Sequence, residues 1–271
     1  MRMKQAMKLP FVGLTFAVLF GLLAGPAPAD TITQWTFDNY AVSAPVNNPA
    51  PTTGVGLAQP LGMDNSYTYN NNEGPGSISW CDIMARSGSD NTWRVRGPTN
   101  NGGGGQGQSN GWNSAAPQYT QGGQFGVSTA DYQNILVSFD WLTTTQGVRD
   151  LMPRYTIDGS TWTNFYASPL EMVSTDVNKN FDTFTLDFTG VAGVDNNPNF
   201  AVQLVSAYDP TTGTYSAASG HTALNNSSGN WRFDNITFSG TPITVPEPSL
   251  FILLGIGAIC LAGHSLRRPC A

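Results

Sequence analysis

Short alternating apolar runs, separated by clusters of turn residues, predict an all-β chain: an antiparallel two-sheet sandwich of the jelly-roll type. Three observations carry that expectation. Between residues 30 and 245 no stretch sustains the i, i+3, i+4 spacing of good helix formers, and Thr, Asn, Gly, Ser and aromatic residues dominate. Large apolar residues recur at every second position, the period at which side chains share one face of a strand. The opening run, with Trp35 and Phe37, and the closing run from Trp231 to Phe238 match as neighbours, which places the first and last strands side by side.

In chain order, the first expected strand is Ile32 to Asp38. A loop rich in Pro, Asn and Gly follows from Val42 to about Asn72, and short strands are expected at Ser77 to Trp80 and Thr92 to Arg96. Residues 98–112 form a glycine-rich flexible segment. It lacks the Lys-Ser/Thr ending of a phosphate loop, and no helix follows it. Ile135, Val137, Phe139 and Trp141 then alternate with Leu136, Ser138, Asp140 and Leu142. Asp158-Gly159 between alternating runs signals a hairpin, because those residues accept the positive φ of a tight turn. Phe184, Leu186 and Phe188 keep the period, as do Phe200, Val202 and Leu204 after an Asn-Asn-Pro-Asn turn. In the closing run the apolar phase shifts between Phe233 and Ile236, which predicts a bulge at Asp234-Asn235.

The ends read differently. Arg2, Lys4 and Lys8 precede an apolar run from Phe11 to Leu23, and Ala27 and Ala29 supply an A-x-A site with cleavage expected after Ala29. At the other end, Val245, Pro246, Glu247, Pro248 and Ser249 form a stiff extended spacer. An uncharged stretch over Ser249 to Leu266 has the minimal length for a membrane span. Arg267 and Arg268 close it and predict a cytoplasmic end. The expected division is therefore signal peptide 1–29, sandwich 30–240, linker and proline motif 241–248, transmembrane helix 249–266 and cytoplasmic tail 267–271. That C-terminal order resembles the PEP-CTERM sorting signal, and the resemblance implies recognition by the membrane peptidase exosortase. It further implies a protein exported through signal peptidase, held in the inner membrane, and then passed to the cell surface or extracellular matrix. The phrases Val137 to Trp141, Tyr155 to Trp162 and Trp231 to Phe238 are similar to those of carbohydrate-binding, galactose-binding-like jelly rolls. This likeness implies extracellular polysaccharide as a ligand class.

Charge narrows the partners. Residues 30–245 hold seven Lys/Arg against seventeen Asp/Glu, a net charge near −10. Such a surface argues against nucleic acid and anionic lipid. Cys81 is the one cysteine between the terminal signals, so no internal disulfide forms there. Its expected role is that of a small buried apolar residue.

Candidate chemistry is sparse. In the resembling jelly rolls a structural Ca²⁺ sits where first and last strands meet, and Asp234 with Asp38 matches that placement with hard oxygen ligands. The alternative is that Asp234 hydrogen-bonds backbone donors at the bulge. No His/Cys set has zinc spacing. Hydrolysis of glycosides needs opposed carboxylates across a cleft, whereas most aspartates here sit at turns and only Glu73 and Glu171 precede the tail. His221 has no Gly-x-Ser-x-Gly partner. Asn-x-Ser/Thr triplets at Asn225, Asn226 and Asn235 carry no glycan in a bacterial setting. Trp93, Trp112, Trp162 and Tyr119 fall near loops or strand edges, where a ring can stack on a sugar, and Trp112 and Trp93 are the foremost candidates. Trp35, Trp80, Trp141 and Trp231 are expected in the core. The leading expectation is a non-enzymatic surface or matrix protein needing no cofactor beyond structural Ca²⁺. A polysaccharide-binding module is second and a jelly-roll hydrolase third.

Overall fold

The computed structural model describes residues 28–44, 46–62, 68–69, 76–77, 81–96, 114, 116–172, 180–218, 224 and 229–243. The signal segment through Ala27, Trp80, Trp112, Glu73, His221 and the whole tail from Thr244 lie outside them. Among the described residues there is no helix, and none long and apolar enough to cross a membrane.

The described residues form fourteen strands: β1 (Asp30–Trp35), β2 (Leu57–Leu61), β3 (Thr68–Tyr69), β4 (Gly76–Ser77), β5 (Asp82–Ser87), β6 (Asp90–Arg96), β7 (Gly122–Gly126), β8 (Tyr132–Thr143), β9 (Asp150–Thr156), β10 (Thr163–Asn164), β11 (Leu170–Glu171), β12 (Asp182–Asp187), β13 (Ala201–Ser206) and β14 (Asn230–Pro242). The first sheet runs β12-β8-β14-β6-β5, with β1 also on β14; the second runs β10-β9-β13-β7-β2, with β11 also on β9. Every pairing is antiparallel. First and last strands are indeed neighbours, with Asp30 opposite Gly240 and Trp35 opposite Ile236. The ladder between β14 and β8 shifts register between Asp234 and Thr237, and Asn235 takes a φ of 49°. The bulge thus falls where the apolar phase breaks.

Two strands that the sequence disguises belong to the second sheet. β2 lies inside the segment expected to be loop, and β7, Gly-Gly-Gln-Phe-Gly, is an interior strand between β13 and β2. Gly122 explains its glycines: at φ 151° an added Cβ would stand 2.1 Å from the Leu204 carbonyl oxygen. A side chain there cannot coexist with the β7–β13 ladder.

Between the sheets lies an aromatic core. Trp35, Trp93, Trp141, Trp231, Phe125, Phe139, Phe233 and Phe238 are all fully buried. Phe125 meets Trp35, Trp93 and Phe233 edge-on at 5.4–6.1 Å, the arrangement that ring quadrupoles favour. Three buried indoles donate outward to loop carbonyls: Trp35 to Pro49 at 3.0 Å, Trp93 to Val46 at 2.9 Å and Trp231 to Val148 at 2.8 Å. Each ring therefore supplies core area and ties a connecting segment to a sheet.

Candidate functional site

Strand alternation sorts β9, β13, β7 and β2 onto two faces. Leu151, Tyr155, Val202, Leu204, Phe125 and Ala58 join the core. The opposite face receives Arg154, Gln203, Gln124 and Gln59, and these align in one row. Asn164 on β10 is opposite Arg154, Arg154 opposite Gln203, Gln203 opposite Gln124, and Gln124 opposite Gln59. With strands about 4.8 Å apart, the row extends about 19 Å across the sheet.

The row is hydrogen-bonded but incompletely. Gln203 Nε2 donates to Gln124 Oε1 at 3.0 Å. Gln203 Oε1, on a residue 7 % exposed, is buried with no partner. A buried acceptor without a donor costs roughly 1–3 kcal/mol, so such atoms call for an explanation. Arg154 donates from Nε to Asn164 Oδ1 and from Nη2 to the Trp162 carbonyl, both at 3.0 Å. Its guanidinium lies 5.0 Å from the centre of the Tyr119 ring. Asn164 Nδ2 donates to Tyr119 Oη at 3.4 Å. Burial lowers the pKa of Arg154, yet a guanidinium stays charged at any physiological pH.

Tyr119 is itself strained. Its φ of 69° lies in the left-handed region, where a bulky residue costs of order 1–3 kcal/mol. The conformation is fixed by Tyr119 N–H donating to the Ser206 carbonyl at 2.7 Å and by Tyr215 Oη donating to the Pro117 carbonyl at 2.9 Å. On one side of the polar row lie Gly126, Ala201 and Leu57, on the other Gly122, Val205 and Met152. Ala201, Val205, Met152 and Gly122 beside the central rung are all buried. A band of fixed amides, a guanidinium and a ring edge suits ligands rich in hydroxyl groups.

The residues singled out from sequence are placed as follows. Tyr119, by its ring, and Trp162, by its backbone carbonyl, meet at the Arg154 end of this row. Trp93 does not: it is fully buried, its N–H is used by Val46, and its ring packs on Phe125 and Phe37. It is a core residue with no ring face open to a ligand, a correction to its expected place at a strand edge. Asp38 and Asp234 take different partners. Asp38 Oδ1 accepts the backbone N–H of Asn91 at 2.9 Å, whereas the buried Asp234 faces Arg86.

Arg86 stands where a metal cation was expected. Its Nη1 lies 2.7 Å from both Asp140 Oδ2 and Asp234 Oδ2, and its guanidinium covers the Phe181 ring at 4.3 Å. Asp234 Oδ1 also accepts the Asn235 backbone N–H at 2.7 Å. Burial pushes Asp234 up to about 7, opposed by Arg86 and Asn235. Burial raises Asp140 too, but donors Thr183, Asn235 and Arg86 overcome it and hold it below the ordinary carboxylate range. Of this adjacent pair, Asp140 carries the charge first. Among the described residues no group of three His, Cys, Asp or Glu could hold a metal ion.

The buried Cys81 has its thiol pushed well up by burial. It is not poised as a nucleophile.

Residues 244–268 match the model of the PEP-CTERM protein-sorting motif. The chain thus carries a C-terminal sorting signal, which implies an exported protein. No curated protein matches the chain. Among solved structures, the CBM22-1 and GH10 modules of Clostridium thermocellum endo-1,4-beta-D-xylanase 10B share 10 % identity at a TM-score of 0.38, over 81 % of this chain and 30 % of that one. The chain thus spans less than a third of that protein. The CBM22-1 xylan-binding domain of a Paenibacillus barcinonensis xylanase shares 9 % identity at a TM-score of 0.37, over 82 % and 100 %. A cleaved adhesin domain of Lys-gingipain from Porphyromonas gingivalis shares 6 % at 0.31, over 80 % and 99 %. Likenesses this distant carry no reading of ligand or activity.

Proposed function

We propose that this chain is an exported, non-catalytic surface or matrix protein that binds polysaccharide on the outer face of the second sheet. The row Asn164-Arg154-Gln203-Gln124-Gln59 carries this reading. It gathers donors and acceptors from five strands on one face and leaves the Gln203 Oε1 acceptor buried and unpartnered. Such an atom is costly to the fold alone and is stabilised by a ligand hydroxyl.

Signal peptidase removes residues through Ala29, and exosortase acts at Val245 to Ser249 while the 249–266 helix holds the chain in the inner membrane. The described ends support this. Asp30, the first residue after the expected cut, is opposite Gly240, and Ile243 N–H still donates to the Asp131 carbonyl at 2.8 Å. Asp30 and Ile243, the described residues nearest the two processing segments, lie at one end of the sandwich. Hydrolysis gains no support from Asp140 and Asp234, whose carboxylates converge on Arg86.

The test is retention of the exported protein on a polysaccharide panel by affinity electrophoresis, with mass spectrometry of both mature ends. Gln203→Leu is expected to weaken binding about tenfold, the worth of one or two hydrogen bonds. Its melting temperature should change little, because the bond to the half-buried Gln124 is lost together with an unsatisfied buried acceptor. Absence of binding to any polysaccharide overturns the ligand assignment. Intact ends on the exported protein overturn the processing.

A further inference from the structure

Resting on the proposal that this face binds polysaccharide, we infer that its ligand is an acidic one, a sugar unit bearing a carboxylate beside a hydroxyl. Two neighbouring features point there. The first is Arg154. Arg86, Arg94 and Arg149 each lie within ion-pair distance of one or more carboxylates, and Arg232, with no ion pair among the described residues, still feels the charge of Asp82; among the described residues no carboxylate stands within ion-pair distance of Arg154. In a domain of net charge near −10, a cation left unneutralised on a sheet face is a selective feature. Two of its N–H groups are used by Asn164 and the Trp162 carbonyl, which with the Tyr119 ring fix the plane of the guanidinium. The others have no partner among the described residues, and a fixed planar fork is the geometry that matches a carboxylate.

The second feature is the in-register neighbour, Gln203, whose buried Oε1 has no donor. A guanidinium with free N–H groups beside a bare amide acceptor complements a hydroxy acid, the carboxylate on Arg154 and the hydroxyl donating to Gln203. A uronic acid unit presents this pair. Beyond Gln203, Gln124 and Gln59 continue the row with uncharged amides, so the adjoining sugars are met as neutral units. One acidic residue per stretch of contact is selected, while a dense polyanion is opposed by the domain's net charge.

The experiment uses the exported full chain, recovered in detergent, with xanthan and polygalacturonate as probes, the same polymers after reduction of their carboxyl groups, and neutral dextran. The expected result is retention by the acidic polymers and at least about tenfold weaker retention by the reduced forms, the worth of a charge-assisted hydrogen-bonded pair. Arg154→Gln should weaken binding to the acidic polymers by about the same factor while circular dichroism shows the fold kept, and Arg154→Lys should fall between. Gln203→Leu should weaken acidic and reduced polymers alike. If reduced polymers bind as well as acidic ones, or Arg154→Gln changes nothing, the inference is overturned while the polysaccharide reading stands. If no polymer is retained, both fall.

Discussion

Lowering the pH from about 8 to about 5 is expected to stabilise the sandwich, the reverse of ordinary acid destabilisation. The group responsible is Asp234, whose carboxyl is buried on the bulge and pushed from its ordinary 3.8 up to about 7. A carboxyl raised in the fold retains a proton that the unfolded chain has released. Its contribution is therefore complete below the unfolded value of 3.8 and is lost as pH rises through about 7. The full displacement corresponds to about 4 kcal/mol, of which the part between pH 7 and 5, about 3 kcal/mol, falls within this window. Arg86, the partner of Asp234, has a side chain 26 % exposed, so water screens the pair and about 2 kcal/mol is the expected gain. Asp150, raised by burial to about 6, acts in the same direction. The lowered carboxyls Asp140, Asp158, Asp187 and Asp209 do not interfere, since they are ionised in both states across this window. Urea denaturation at several pH values measures the slope, and Asp234→Asn isolates its source. Asn keeps an acceptor for the Asn235 N–H and cannot titrate, so the variant should lose the larger part of the pH dependence. Greater stability at about pH 8 than at about pH 5, or an unchanged slope in the variant, would refute the assignment.

Further outcomes follow from packing. Trp93→Ala should cost about 3–5 kcal/mol, from the cavity and from the Val46 carbonyl left without its donor, read as a shift in urea midpoint. Lost binding with stability unchanged would instead put Trp93 on the ligand. Gly122→Ala should abolish folding or cost several kcal/mol, because its Cβ meets the Leu204 carbonyl oxygen at 2.1 Å; circular dichroism and expression yield report it. Native Cys81 should resist iodoacetamide and react only on unfolding, given its burial and raised pKa. Rapid alkylation of the folded protein would contradict that placement.

Local periodicity was sufficient for much of the scaffold. The alternation in β8, β12, β13 and β14, the Asp158-Gly159 turn and the bulge at Asp234-Asn235 are short-range patterns, because strand sterics and turn dihedrals act between near neighbours. The same holds for the proline motif and arginine pair of the tail, whose meaning lies in contiguous order. Binding candidates were less legible. Tyr119 and Trp162 were visible as residues near strand ends, but nothing local separates them from Trp93, which the fold buries.

Only the tertiary structure could assemble the polar row. Gln59, Gln124, Arg154, Asn164 and Gln203 are scattered over 145 positions and share a face only because five strands pair in one register. β2 and β7 were hidden because proline and glycine weaken a strand on their own, while pairing and core contacts restore it. Likewise the acidic residue of the bulge announces a need for positive charge, but that Arg86 supplies it depends on a contact across 148 residues. Chain-local sterics set most of the strands; sheet register, a long-range property of hydrogen-bonded pairing, secured β2 and β7 and decided which side chains meet.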